Sequence, residues 1–116
     1  MATKFPTAQE LDRRVFFDAR VELDDGYGNT EGGFSERFEV WAAFRSRGGS
    51  EAVQAARLEG RNTFGVYVRS SSETRQIATD WRMRDKATGN AFAVKIVDAI
   101  SDARWVYLEV QTGVAA

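Results

Sequence analysis

Between Leu11 and Leu23 the chain alternates between apolar and polar residues with a period of two. Leu11, Val15, Phe17, Ala19, Val21 and Leu23 fall on one side, and Asp12, Arg14, Asp18, Arg20 and Glu22 on the other. Arg13 and Phe16 are the single breaches of each face. Such a run describes a long strand with one buried and one solvated face. It ends at Asp24-Asp25-Gly26-Tyr27-Gly28-Asn29, followed by Thr30-Glu31-Gly32-Gly33. Glycine spaced this densely favours a loop over regular structure, which predicts a mobile hairpin loop over residues 24–35. Alternation then resumes, with Phe38, Val40, Ala42 and Phe44 opposite Arg37, Glu39, Trp41, Ala43 and Arg45. The first two strands therefore read as a long hairpin with an extended tip.

The same period recurs downstream. Phe64, Val66 and Val68 mark a third strand, Trp81 and Met83 a short fourth, Phe92, Val94 and Ile96 a fifth, and Val106, Leu108 and Val110 a sixth. Ser50 to Gly60 breaks the pattern, with good helix formers, a serine at the N-cap position and a glycine where helices end. A helix this short is marginal alone and would have to dock its Val53/Ala56 side on the sheet. The expectation is a mainly β fold: a small six-stranded antiparallel β-barrel or rolled sheet with one short α-helix, closed because closure removes exposed edges. The 116 residues form a single domain, 1–116, with residues 1–9 as a flexible N-terminal segment.

Composition narrows function by subtraction. The chain has neither cysteine nor histidine, which removes disulfides, thiolate chemistry and the side chain most used for acid–base work near neutrality. No cofactor or metal set is apparent, and no nucleophile–base–orienter set can be assembled, so an enzyme is not expected. Sixteen basic residues against seventeen acidic ones leave a net charge of -1, without the basic surplus of a tight non-specific duplex binder. No apolar run reaches membrane-spanning length and the start lacks a signal-peptide core, so synthesis in the cytoplasm is expected.

Four local features invite sharper readings. Gly26-Tyr27-Gly28 lacks the third glycine of a dinucleotide loop and precedes a strand, so it reads as a hairpin tip. Asp24 and Asp25 are adjacent and would point to opposite faces, which suits a solvated turn better than a metal site. Arg69, Arg75, Arg82, Arg84 and Lys86 lie near Tyr67 and Trp81, in a pattern shared with single-strand nucleic-acid platforms. Glu73, Asp80 and Asp85 offer balancing charge, and the reading adopted is a solvated face. Trp41, Trp81 and Trp105 read as core or interface residues, with Trp41 on the outer side of its strand and open to a neighbouring subunit.

Taken in order, these motifs resemble the phage head–tail joining family, also called head-completion or stopper proteins. Leu11-Asp12-Arg13-Arg14-Val15 is similar to its first-strand signature, Asp25-Gly26-Tyr27-Gly28 to its aromatic–glycine turn, and Trp41-Ala42-Ala43 to its second-strand tryptophan motif. The Glu51-to-Glu59 segment falls where the family carries its helix. Asp80-Trp81-Arg82-Met83, Gly89, the Phe92-to-Val97 strand, Asp102-Ala103-Arg104 and Leu108-Glu109 follow its closing pattern. The resemblance runs over roughly residues 8 to 115. Val110–Gln111 replaces a cysteine common in the family, and Lys86-Ala87-Thr88 lengthens a turn that is usually tighter.

The resemblance implies a structural subunit of the head–tail connector in a virion or phage-like particle. It implies a homo-oligomeric ring, hexamer or dodecamer, between a portal or adaptor protein and a tail terminator or tail tube protein. Packaged double-stranded DNA would pass through without sequence-specific binding, and no membrane would be involved. The residues expected at ring or channel contacts are Asp24, Asp25, Tyr27, Gly28, Asn29 and Glu31 at the tip. Arg45, Arg47, Glu51, Gln54 and Arg57 form a second group. Competing readings are a tail-terminator or adaptor subunit of the same connector, a small-barrel nucleic-acid binder and, furthest off, a small hydrolase.

Overall fold

The computed structural model describes residues 8–24, 26–46 and 62–112. A 3-10 turn, η1 (Ala8–Glu10), leads into β1 (Arg13–Asp24), which returns as β2 (Thr30–Ser46). Then follow β3 (Thr63–Arg69), a 3-10 turn η2 (Thr74–Gln76), β4 (Arg82–Asp85), β5 (Ala91–Asp98) and β6 (Trp105–Gln111). The strands close into a barrel in the order β1-β2-β3-β6-β5-β4, every pairing antiparallel. The β4-β5-β6 meander folds back so that β6 joins β3 while β4 joins β1, leaving no strand of the barrel without two neighbours. Six strands match the expectation, whereas the helix expected over 50–60, with Arg47, Glu51, Gln54 and Arg57, lies outside the described residues. So does Asp25.

Period-two patterning is what fills the barrel. Val15 and Phe17 of β1, Val66 and Val68 of β3, Met83 of β4, and Val106, Leu108 and Val110 of β6 are all fully buried. Phe44, Phe64 and Phe92 meet near one end with ring centroids 5.9 to 6.0 Å apart. Phe38 bridges Phe17 and Trp81 at 5.6 and 6.1 Å. Fully burying a side chain of this size contributes about 1.5–3 kcal/mol, so the inward set supplies most of the driving force.

Two bulges re-aim the strands in ways that the period alone does not reveal. Phe17 pairs with Phe38 but Asp18 with Glu36, so Arg37 is an extra residue in β2. Val94 pairs with Val110 but Ile96 with Glu109, so Lys95 is extra in β5. An extra residue reverses the facing of everything beyond it. Ile96, expected on the core face with Phe92 and Val94, is therefore half-exposed, and Val97 packs inward in its place.

The expected loop over 24–35 is also shorter. Pairing between β1 and β2 continues out to Asp24 with Thr30, so Thr30 to Ser35 are strand and the turn is confined to the residues between. Gly26 and Gly28 adopt φ values of 83° and 84°, a left-handed backbone that glycine accepts without strain, and the Gly26 N–H donates to Asp24 Oδ1 at 2.9 Å. Gly33 serves a different purpose: a Cβ there would lie 2.5 Å from Leu23 Cδ1, so its bare backbone lets Leu23 lie across the ribbon.

Candidate interaction surface

β1 meets β4 only from Val15 to Asp18, and β2 meets β3 only from Ala42 to Ser46. Beyond Asp18 the two long strands therefore leave the barrel as a two-stranded arm. Its six β1 residues, Ala19 to Asp24, carry it roughly 20 Å outward at the usual rise per residue. Asp24, Tyr27, Gly28, Asn29 and Glu31, all expected at contacts, are gathered at its tip, and Tyr27 is 88% exposed. Arg45 is not among them. It lies at the far end of β2, in an ion pair of 2.7 Å with Glu10 that ties η1 to the barrel.

Charge along the outer part of this arm is one-sided. From Val21 to Gly33 the sequence holds Glu22, Asp24, Asp25 and Glu31 and no cation. The outer face of the barrel at the arm's base is the reverse. Registered pairs place Arg14 beside Trp41, Phe16 beside Glu39 and Arg84, Asp18 beside Glu36 and Arg82, and Arg20 beside Phe34. Each guanidinium lies over a ring: Arg14 over Trp41 at 4.8 Å, Arg84 over Phe16 at 4.8 Å, and Arg82 and Arg20 over Phe34 at 4.3 and 5.2 Å. This ladder of stacked cations was not anticipated, although Phe16, the apolar residue on a polar face, was its signal in the sequence.

Carboxylates on this face are shared between cations. Asp18, 1% exposed, accepts from Arg82 Nε at 2.8 Å and from Arg84 Nε and Nη2 at 2.6 and 2.8 Å. Burial pushes its carboxyl up, but hydrogen bonds and positive charge from Arg84 and Arg82 outweigh that and hold it below the usual carboxylate range. Glu36 accepts from Arg84 Nη2 at 2.8 Å. Glu39 Oε2 accepts from Arg14 Nε at 2.8 Å and Lys86 Nζ at 3.1 Å, and these bonds lower its pKa as well.

The balancing charges expected for the basic segment are thus partly misassigned. Asp18, Glu36 and Glu39, all distant in sequence, neutralise Arg82, Arg84 and Lys86. Asp85 is instead buried, and accepts from Arg13 Nη1 at 2.8 Å and from Thr88 Oγ1 at 3.1 Å, so it pins the β4–β5 turn. Arg69 stacks over the ring of Trp105 at 5.2 Å and shares a groove with Arg14, Glu39 and Trp41.

Trp41 is 49% exposed and stands between two shallow grooves, one of about 590 Å³ running past Arg69, Ser71 and Glu73, the other of about 530 Å³ running past Asp85 and Lys86. Neither gathers reactive groups. Among the described residues no cluster of acidic side chains could hold a metal ion, and no helix is long and apolar enough to cross a membrane.

A closed barrel with one projecting hairpin suits an assembly subunit, and comparison with known proteins settles the family. The sequence matches the phage head completion protein family over residues 6–113. The chain belongs to that family. Head completion proteins are structural components of the virion, and this is the role and place of the chain. No curated protein matches the sequence. Two solved structures share the fold of this head completion protein. Protein SF1141 from Shigella flexneri 2a aligns with a TM-score of 0.68 at 12% identity, over 96% of this chain and 100% of its own. A chain in the virion of a native gene transfer agent particle aligns with a TM-score of 0.57 at 20% identity, over 90% of this chain and 96% of its own.

Proposed function

We infer that this protein completes the head as a ring below the portal or its adaptor, in a tailed phage or a gene transfer agent. There it extends the DNA channel, retains the packaged DNA and offers the tail its docking face. The observation that carries this reading is the arm: a two-stranded ribbon outside the barrel whose end is acidic and without cations from Val21 to Gly33. A carboxylate-lined element repels phosphate, so it can border a DNA passage without holding the duplex that must move through it. The barrel supplies a rigid body to be repeated around the axis, since closed rings are built from one heterologous contact. Contacts too weak to hold a pair gain from multivalency once a ring closes.

Replacing residues 21–33 with a two-residue Asn-Gly turn, which joins the registered partners Arg20 and Phe34, tests the reading, because the strand pairings that close the barrel and the buried core lie outside that segment. The shortened protein is expected to keep its cooperative melt, while particles carrying it lose packaged DNA or fail to join tails. Full DNA content and normal tail joining in those particles would contradict the role given to the arm.

A further inference from the structure

The geometry points to the stacked-cation face of β1, β2 and β4 as the seat for the acidic arm tip of the neighbouring copy in the ring. This rests on the ring proposed above and names the contact that builds it. On the barrel face, among the described residues, Arg14, Arg82, Arg84 and Lys86 share Asp18, Glu36 and Glu39 in ion pairs, and Arg20 stacks beside them on Phe34. Because Asp18 serves two arginines and Glu39 serves Arg14 and Lys86, the face keeps an excess of positive charge although the whole chain is at -1. The outer part of the arm holds the matching excess of carboxylates, Glu22, Asp24 and Glu31.

Stacking also prepares these arginines for carboxylates. A guanidinium on a ring is held by its flat face, which leaves its in-plane N–H groups available, and carboxylates bind that edge in a bidentate manner. Arg82 and Arg14 each engage their carboxylate through Nε. Their terminal amino groups point along the same plane. Half-exposed Trp41 beside Arg14 adds the residue pair most often found at the energetic centre of interfaces.

Asp24 and Glu31 lie beyond the Arg20–Phe34 pair along the paired ribbon, so the tip is separated from its own base by the length of the ribbon. The reach of the arm, roughly 20 Å past the barrel, is of the same order as the 27 Å shortest extent of the molecule, so it can span to an adjacent subunit. A head-to-tail contact of this kind is heterologous, as a ring requires.

The absence of native cysteine makes the test clean. Tyr27→Cys at the tip and Glu36→Cys in the middle of the face would be introduced together, then oxidised in assembled particles and in concentrated purified protein. A ladder of disulfide-linked oligomers ending in a closed ring is expected from the double variant, and nothing beyond a dimer from either single one. In parallel, Arg14→Glu with Arg20→Glu, which leaves the arginines of buried Asp18 in place, and, separately, Glu22→Lys with Glu31→Lys should each lower incorporation by roughly tenfold through like-charge contact. Combining all four should restore it, with thermal melts confirming that each variant folds.

A folded, incorporated double-cysteine protein that yields no ladder would overturn the contact. So would a face variant that assembles normally but loses salt-dependent binding to a duplex DNA probe, which would give the face to phosphate instead. Absence of the chain from particles would overturn the head-completion role alone, and the ladder in purified protein would then decide the contact by itself.

Discussion

At the scale of residues, the account turns on Asp18. A carboxylate that is 1% exposed survives there because two arginines from β4 supply three hydrogen bonds, and removing one member of such a buried set leaves charge without compensation. Asp18→Asn is therefore expected to cost about 3 kcal/mol in urea melts. The pH dependence follows from the lowered pKa. Asp18 in the folded protein binds its proton less readily than in the unfolded chain, so its stabilisation is complete near neutrality and is lost as pH falls below about 4. Acid melts should show this loss in the wild type and a shallower one in Asp18→Asn. Part of this was legible in the sequence: Arg82 and Arg84 stood out as a basic pair. Their partner did not, because the carboxylate lies more than sixty residues away and only the β1–β4 register brings it near.

Elements were easier to read than their details. Alternation over Leu11–Leu23, broken once on each face, and over Phe38–Phe44 predicts two long strands, and the structure has them as a hairpin. Alternation cannot show where a bulge falls, since the extra Arg37 or Lys95 looks like any other polar residue, and Ile96 was placed on the wrong face for that reason. Glycine density misled in the opposite direction, because Gly32 and Gly33 serve close packing by Arg20 and Leu23 within a strand. Beyond Asp18 the arm has strand partners only within itself, and a lone hairpin is marginal in water. Hydrogen exchange should accordingly separate the two halves of β1. Amides from Ala19 to Asp24 are expected to exchange through local opening, orders of magnitude faster than those of Val66 or Leu108, whose protection follows global unfolding. Equal protection along all of β1 in the isolated protein would contradict an arm that stands alone.

For the molecule as a whole, membership of a structural family makes placement the central question. A barrel with its apolar residues turned inward, an acidic arm and a cationic face form a body that can be repeated around an axis. Its family membership states where that body works. The tip residues Asp24, Tyr27 and Glu31 could be picked out beforehand because turns announce themselves locally. The face could not, because it is assembled from three strands. The most direct test of the central claim is electron microscopy of particles from a strain lacking this gene, with packaged DNA assayed in the same preparation. Heads without tails, empty or leaking DNA, beside separately assembled tails are the predicted result. DNA-filled heads joined to normal tails would contradict it.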